Sequence, residues 1–272
     1  MQPENANKPI AYTFFSGAGG LHLGLEQSGF DVILSTDIGI HQENTHKKNW
    51  PNCPFLRKDI RQLNAPELLK IAGGRRPNLI AGGPPCQGFS TLGDKLSSDP
   101  RNDLFSSYLR LAKDLEPEFI LIENVKSLTT MYGGRFSDWI KAKLLNLGYA
   151  VTCKVLNAAD FGVPQIRNRA FFLGHRINGE YSFPLPTHGH NKSHKYENVG
   201  DWINDLINKD DKISNHISLN HSNKVIERYN LIKCHIPPEN LRYCPNGECE
   251  APYEFIMPTG GLPTTPCRTI NY

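Results

Sequence analysis

Four side chains in this sequence could act together on a flat ring. The stretch LIAGGPPCQGFSTLG (79–93) sets one cysteine, Cys86, among prolines and glycines straight after an apolar run. Pro84 and Pro85 fix two φ angles ahead of Cys86, while Gly82, Gly83 and Gly88 relieve crowding around it. A buried structural cysteine does not need that setting. A thiol that must be rigid, exposed and close to a flat substrate does, with a cationic or helix-terminal neighbour to favour the thiolate. The tripeptide ENV (123–125) puts Glu123 at the end of another apolar run, and QIRNR (165–169) alternates Gln165, Arg167 and Arg169 on one face of an extended segment. Arginine can orient a carbonyl and favour the thiolate, and a carboxylic acid can donate to a ring nitrogen. Each piece alone has an ordinary reading: an inert cysteine in a turn, a surface or capping acid, a solvated charged edge. Together they form a set for nucleophilic attack on a ring.

The elements that must position this set alternate in type. Apolar, β-branched runs at 10–15, 31–37, 54–60, 78–83, 118–125, 150–158 and 169–176 predict strands. Helical spacing predicts helices over 21–29, 64–72, 103–117 and 136–149, with Gly29, Pro117 and Gly148 as stops. Strands alternating with helices predict an α/β fold with a doubly wound, mostly parallel sheet, which binds ligands outside the carboxyl ends of its strands. From about Ile177 the composition shifts to Asn, His, Lys and Pro, and only 220–232 reads as a helix. The expected domains are therefore 1–176, carrying the chemistry, and 177–272, a small irregular region.

At the end of the first strand, FSGAGG (15–20) lets the backbone approach a ligand and opens a helix whose N-terminal amides face it. Asp37 closes the next strand near the offset where an acid grips ribose hydroxyls. A turn that merely packs a helix would look similar. The segment lacks the GxGxxG spacing of a dinucleotide site, which disfavours an α/β dehydrogenase, and the GK[ST] of a phosphate loop. A nucleoside without a diphosphate fits better. S-adenosyl-L-methionine is one, and its sulfonium cation suits carboxylates such as Asp37 and Asp59.

The 272 residues suffice for one large domain with a small appendage. With 39% hydrophobic and 21% charged residues, the composition reads as globular. Apolar runs such as FILI (119–122) are too short to span a bilayer, and the polar N-terminus lacks a secretory signal's plan, so a cytoplasmic setting is expected. A net charge of +3 is compatible with a polyanionic partner without requiring one. The seven cysteines are odd in number and scattered, which points to a reducing compartment. Cys244 and Cys249 in CPNGEC have only His235 nearby, so no metal site is expected.

These motifs resemble those of the cytosine-5 DNA methyltransferase family. FFSGAGGLHLGLEQSGF (14–30) is similar to its cofactor motif and GGPPCQGFS (82–90) to its catalytic loop. ENV and QIRNR are similar to the next two signatures, and RNDLF (101–105) and Asp59-Ile60 to minor ones, all in the family's order over residues 10–176. The resemblance implies a Rossmann-like S-adenosyl-L-methionine-dependent methyltransferase fold followed by the start of a target-recognition region. It implies catalysis by Cys86, Glu123, Arg169 and Arg167 on a cytosine flipped out of double-stranded DNA, as the modification half of a restriction–modification system. It assigns Phe15, Gly17, Gly19, Gly20, Asp37, Ile38, Asp59, Ile60, Pro84 and Leu104 to the cofactor. Two departures stand out. Thr13 occupies a place where the family often carries an acid, and the family's last arginine motif and closing Gly-Asn helix are not found before the sequence stops at TTPCRTINY. Asn215-His216 and VIERY (225–229) resemble only the lead-in to recognition, so either a second polypeptide supplying the rest or a truncated or degenerate chain is expected. The rival readings are a tRNA cytosine-5 methyltransferase, which PPCQGFS disfavours, and a non-catalytic DNA-binding remnant, which the intact set of four disfavours.

Overall fold

The computed structural model describes residues 8–85, 102–206 and 222–224. Cys86, Arg101, Asn215-His216, Cys244 and Cys249, as well as most of the helix expected at 220–232, lie outside the described residues.

The alternating pattern folds as its periodicity requires. In chain order come β1 (Ile10–Phe14), α1 (Gly20–Gln27), β2 (Asp31–Asp37), α2 (Ile40–Asn49), β3 (Phe55–Arg57), α3 (Ala65–Ile71), β4 (Leu79–Gly82), α4 (Asn102–Leu115), β5 (Phe119–Val125), α5 (Arg135–Asn146), β6 (Ala150–Asn157), β7 (Asn168–His175) and α6 (Val199–Ile203). The strands form a seven-stranded sheet in the order β3-β2-β1-β4-β5-β7-β6. Strands β1 to β5 pair in parallel, while β7 runs antiparallel to both β5 and β6. The sheet is thus mostly parallel, as expected. Its central strand β4 is buried at every residue, and β1 at every residue but its first, which explains their continuous apolar character. Edge strand β6 alternates between exposed and half-buried positions over most of its length.

Alternate side chains of the strands feed two apolar clusters. The larger holds Tyr12, Phe14, Leu34, Ile80, Ile120, Ile122 and Phe172 with Leu68 of α3, Tyr108 of α4 and Ile140 of α5. The smaller gathers Ala11, Val32, Leu79 and Ala81 with Leu25 of α1. The Tyr108 hydroxyl donates to the carbonyls of Ile80 (3.3 Å) and Leu121 (3.1 Å), which locks α4 to the strands that carry the candidate site.

Two local readings need correction. Helix α2 was not expected, because IHQENTHKKN shows no apolar stripe and buries only His46. Strand β3 is three residues rather than seven, since Asp59 turns the chain by accepting from the Arg61 N–H and starts a short 3-10 turn at Ile60. The chain divides into two compact units: 1–157 with 168–185, and 158–167 with 186–272. No helix among the described residues is long and apolar enough to cross a membrane.

Candidate functional site

The turn after β1 is tightly wound. Phe15 has φ 52°, Gly17 55° and Gly19 97°. For Phe15 this is an uncommon, strained conformation at the carboxyl end of a buried strand. Gly19 precedes α1, and a Cβ placed there would lie 2.2 Å from the Trp50 ring, so only glycine fits. The turn is tied to β2 by the Gly17 N–H, which donates to Asp37 Oδ2 at 2.8 Å. Asp37 Oδ1 accepts from the N–H groups of Ile38 (2.7 Å) and Gly39 (3.2 Å). Among the described residues this carboxylate has no ion-pair partner, and it remains able to accept from a ligand's hydroxyls. Ile38 beside it is 66% exposed, an apolar surface at the strand end where a flat ring could rest.

The other expected cofactor residues fall into two groups. Phe15 and Leu104 are half-buried and pack on the main core. Asp59 is engaged by Arg61, whose Nη2 lies 2.5 Å from Oδ2; the guanidinium holds the carboxyl below its usual range. Ile60 is only 5% exposed, so its side chain is core, and its carbonyl accepts from Arg110. Gly20 is the first residue of α1.

The candidate chemistry lies at the adjoining ends of β4, β5 and β7. Glu123 pairs with Phe171 across the antiparallel β5–β7 ladder and Val125 with Arg169, which makes Glu123 and Arg169 diagonal neighbours on one face. Their side chains meet with Arg169 Nε 2.9 Å from Glu123 Oε1. A Cβ at Gly83 would lie 3.2 Å from Glu123 Oε2, so this glycine lets the acid sit against the backbone leading to Cys86. Pro84 is buried, and its carbonyl accepts from Asn124 Nδ2 at 2.8 Å. The middle residue of ENV therefore fixes the exit of β4. Sequence reasoning missed this role although the residue stood in the motif. Strand β7 begins only at Asn168, so Arg169 alone of the expected alternating set lies in a strand. Gln165 sits in a bend, its N–H donating to the Val163 carbonyl at 2.7 Å. Arg167 belongs to the second unit, where its carbonyl accepts from the Ala158 N–H.

Also missed was a buried polar network behind the cofactor turn. Thr13 Oγ1 lies 2.9 Å from Ser16 Oγ and 2.7 Å from Ser35 Oγ. Ser35 Oγ reaches His22 Nδ1 at 3.1 Å, which in turn lies 3.0 Å from His46 Nε2. Thr13, the expected place of an acid, is thus a neutral member of a hydrogen-bonded chain. No spacing in the sequence announces it.

The comparisons with known proteins agree with this architecture. The sequence profile for C-5 cytosine-specific DNA methylases matches residues 12–245. Type II methyltransferase M1.HphI of Haemophilus parahaemolyticus is 40% identical over 80% of this chain and 59% of its own length. Type II methyltransferase M.XorII of Xanthomonas oryzae pv. oryzae is 39% identical over 73% of this chain and 46% of its own length. A crystal structure of a prophage-encoded protein from E. coli, described as a DNA modification methyltransferase, superposes with a TM-score of 0.61 at 30% identity, covering 72% of this chain and 54% of that one. The chain spans about half the length of the curated relatives it matches. With the match spanning residues 12–245 and these relatives, the chain belongs to the C-5 cytosine-specific DNA methylase family.

Proposed function

We propose that this chain carries the catalytic and cofactor-binding part of an enzyme that methylates carbon 5 of cytosine in a specific duplex DNA sequence, as the modification half of a restriction–modification system. The observation that carries the reading is the Glu123–Arg169 pair, 2.9 Å apart and set against Gly83 three residues before Cys86. A cytosine ring is unreachable inside the base stack, so the target base leaves the duplex for this pocket. The Cys86 sulfur forms a bond to carbon 6 of the ring. Glu123, in its protonated form, donates to ring nitrogen 3, and Arg169 holds the carbonyl oxygen, so the electron pair displaced by sulfur collects at carbon 5. S-adenosyl-L-methionine, when bound, supplies an electrophilic methyl group. After carbon 5 has been methylated, loss of its proton lets the ring expel the Cys86 thiolate and recover its double bond.

For the cofactor, the residues at the ends of β1 and β2 fit. The Phe15–Gly20 turn leaves room for close approach, the oriented Asp37 carboxylate suits ribose hydroxyls, and exposed Ile38 offers an apolar surface to the adenine. Asp59, Ile60, Pro84 and Leu104 complete the assignment. Asp59 must share its carboxylate with Arg61, and Ile60 can contribute its backbone only.

The rest of the recognition region and the closing helix, on a further stretch of the same polypeptide or on a companion chain, belong to this reading. Methyl transfer by these 272 residues alone overturns that part. The test of the chemistry is a duplex carrying 5-fluorocytosine, incubated with S-adenosyl-L-methionine and, in a parallel arm, the companion chain. Fluorine cannot leave as the proton does, so the expected result is a covalent protein–DNA species that Cys86→Ser abolishes. Labelled methyl transfer to tRNA with none to DNA, or a trapped species that survives Cys86→Ser, overturns the proposal.

A further inference from the structure

Outside the candidate active site, one group of side chains has the composition of a metal centre. His22 comes from α1, His46 from α2 and Cys53 from the turn that leads into β3, and their potential ligand atoms all lie within 4.8 Å of one another. The two histidines are 1% and 0% exposed, while Cys53 is half-buried and unpaired with any other cysteine. We propose that His22, His46 and Cys53 bind a borderline-soft divalent metal ion of the zinc class, which pins α1 to α2.

The geometry supports this at several points. His22 Nδ1 and His46 Nε2 are 3.0 Å apart and face each other. Two imidazole nitrogens on one tetrahedral ion, each at about 2.0–2.1 Å, stand about 3.3 Å apart, so a shift of a few tenths of an ångström admits the ion. Both rings are under-satisfied as they stand, with His22 Nε2 and His46 Nδ1 buried and without a hydrogen-bond partner. On the far side of His22, Glu26 Oε1 lies 3.4 Å from Nε2. The other oxygen of Glu26 accepts from Trp50 Nε1 at 2.6 Å, which fixes the carboxylate in place. His22 Nε2 has no hydrogen-bond partner, and a small closure of this gap would make Glu26 the carboxylate behind a metal-bound histidine.

The surroundings fit as well. Trp50 stacks on His22 with ring centres 4.1 Å apart and planes at 26°, which closes one wall. Cys53 lines a cleft of about 480 Å³, together with Glu26, Asp31, Trp50, Pro54 and Arg75, so the cysteine side of the group adjoins open space. Two nitrogens and a sulfur select zinc-like ions over magnesium or calcium. Helix α1 starts at the glycine turn and α2 just after Asp37 and Ile38, so an ion here links the two strand-end segments proposed to hold the cofactor.

Cobalt(II) is the spectroscopic probe for the test. The full chain, freed of metal by chelation, is titrated with cobalt(II) and, separately, melted with and without zinc(II). The expected result is one equivalent bound with visible bands of tetrahedral intensity and a thiolate-to-cobalt charge-transfer band, along with a higher Tm in zinc(II). Cys53→Ser should lose the charge-transfer band, and Glu26→Gln should weaken binding about 10–100-fold with an unchanged circular dichroism spectrum. Absence of the tetrahedral bands in the wild type, or a charge-transfer band that persists in Cys53→Ser, overturns the proposal. So does a wild-type Tm indifferent to zinc(II), whatever the variants do.

Discussion

At the end of β5 the ionisable side chains of Glu123 and Arg169 are 26% and 24% exposed, whereas Thr13 and Ser35, on β1 and β2, are fully buried hydroxyls. Both places hold polar groups at or near the carboxyl ends of strands in one sheet. The difference is access to water. A charged pair can be kept where solvent and a substrate reach it, because the desolvation cost is partial and the pair can exchange partners. In the sealed region between β1 and β2 only neutral groups that satisfy one another are tolerated, and they make a rigid support for the turn in front of them. The more exposed end suits the proposed chemistry and the sealed end suits support.

The sharpest way to break this contrast is at the charged end. Glu123→Gln keeps the size and hydrogen-bonding shape but cannot hand over a proton in the same way. Methyl transfer to duplex DNA, measured with labelled cofactor and any companion chain, should fall by about 10²–10⁴-fold, with the urea midpoint little changed. Retained activity would reduce Glu123 to a structural partner of Arg169.

Asn124 tests whether the two ends share a frame. Asn124→Ala leaves the Pro84 carbonyl without its donor, at a cost of about 1–3 kcal/mol in urea unfolding. Because that bond sets the exit of β4, activity should drop more than the loss of stability explains.

At the neutral end, Tyr12 donates to the Arg75 carbonyl, and burial pushes its phenol up to about 12, opposed by Arg75 and Arg76. The unfolded chain ionises this group near 10, the folded protein only near 12, so its stabilising contribution is complete below pH 10 and lost as pH rises through 12. Stability followed by urea unfolding should decline across that window, and Tyr12→Phe should flatten the decline. The smallest effect is expected for Lys47, whose side chain is 58% exposed in its ion pair with Glu43. Lys47→Ala should leave the urea midpoint unmoved, since an exposed pair of this kind is screened by water.

Much of this was legible in the sequence where a residue's role depends on its neighbours in the chain. The strand positions, the glycine turn and the place of Asp37 at the end of the next strand followed from local composition, while the bond from Gly17 to Asp37 did not. The cysteine loop and ENV stood out because proline, glycine and a strand end constrain a short segment by themselves. Helix α2 was illegible because its one buried residue, His46, is held by ring contacts with His22 and Trp50 rather than by an apolar stripe. The antiparallel β7 was illegible because strand direction depends on the path of the segment before it.

What the sequence by itself determined is the order of the strands, since strand period and residue type within a few positions carry it; the candidate site residues were read from the same local patterns. Only the tertiary structure decided that Arg169 meets Glu123, that Asn124 holds Pro84, and that His22, His46 and Cys53 converge. Those meetings join residues from 7 to 46 positions apart across the sheet or between helices. Such contacts are fixed by strand register and helix packing, which no local pattern encodes.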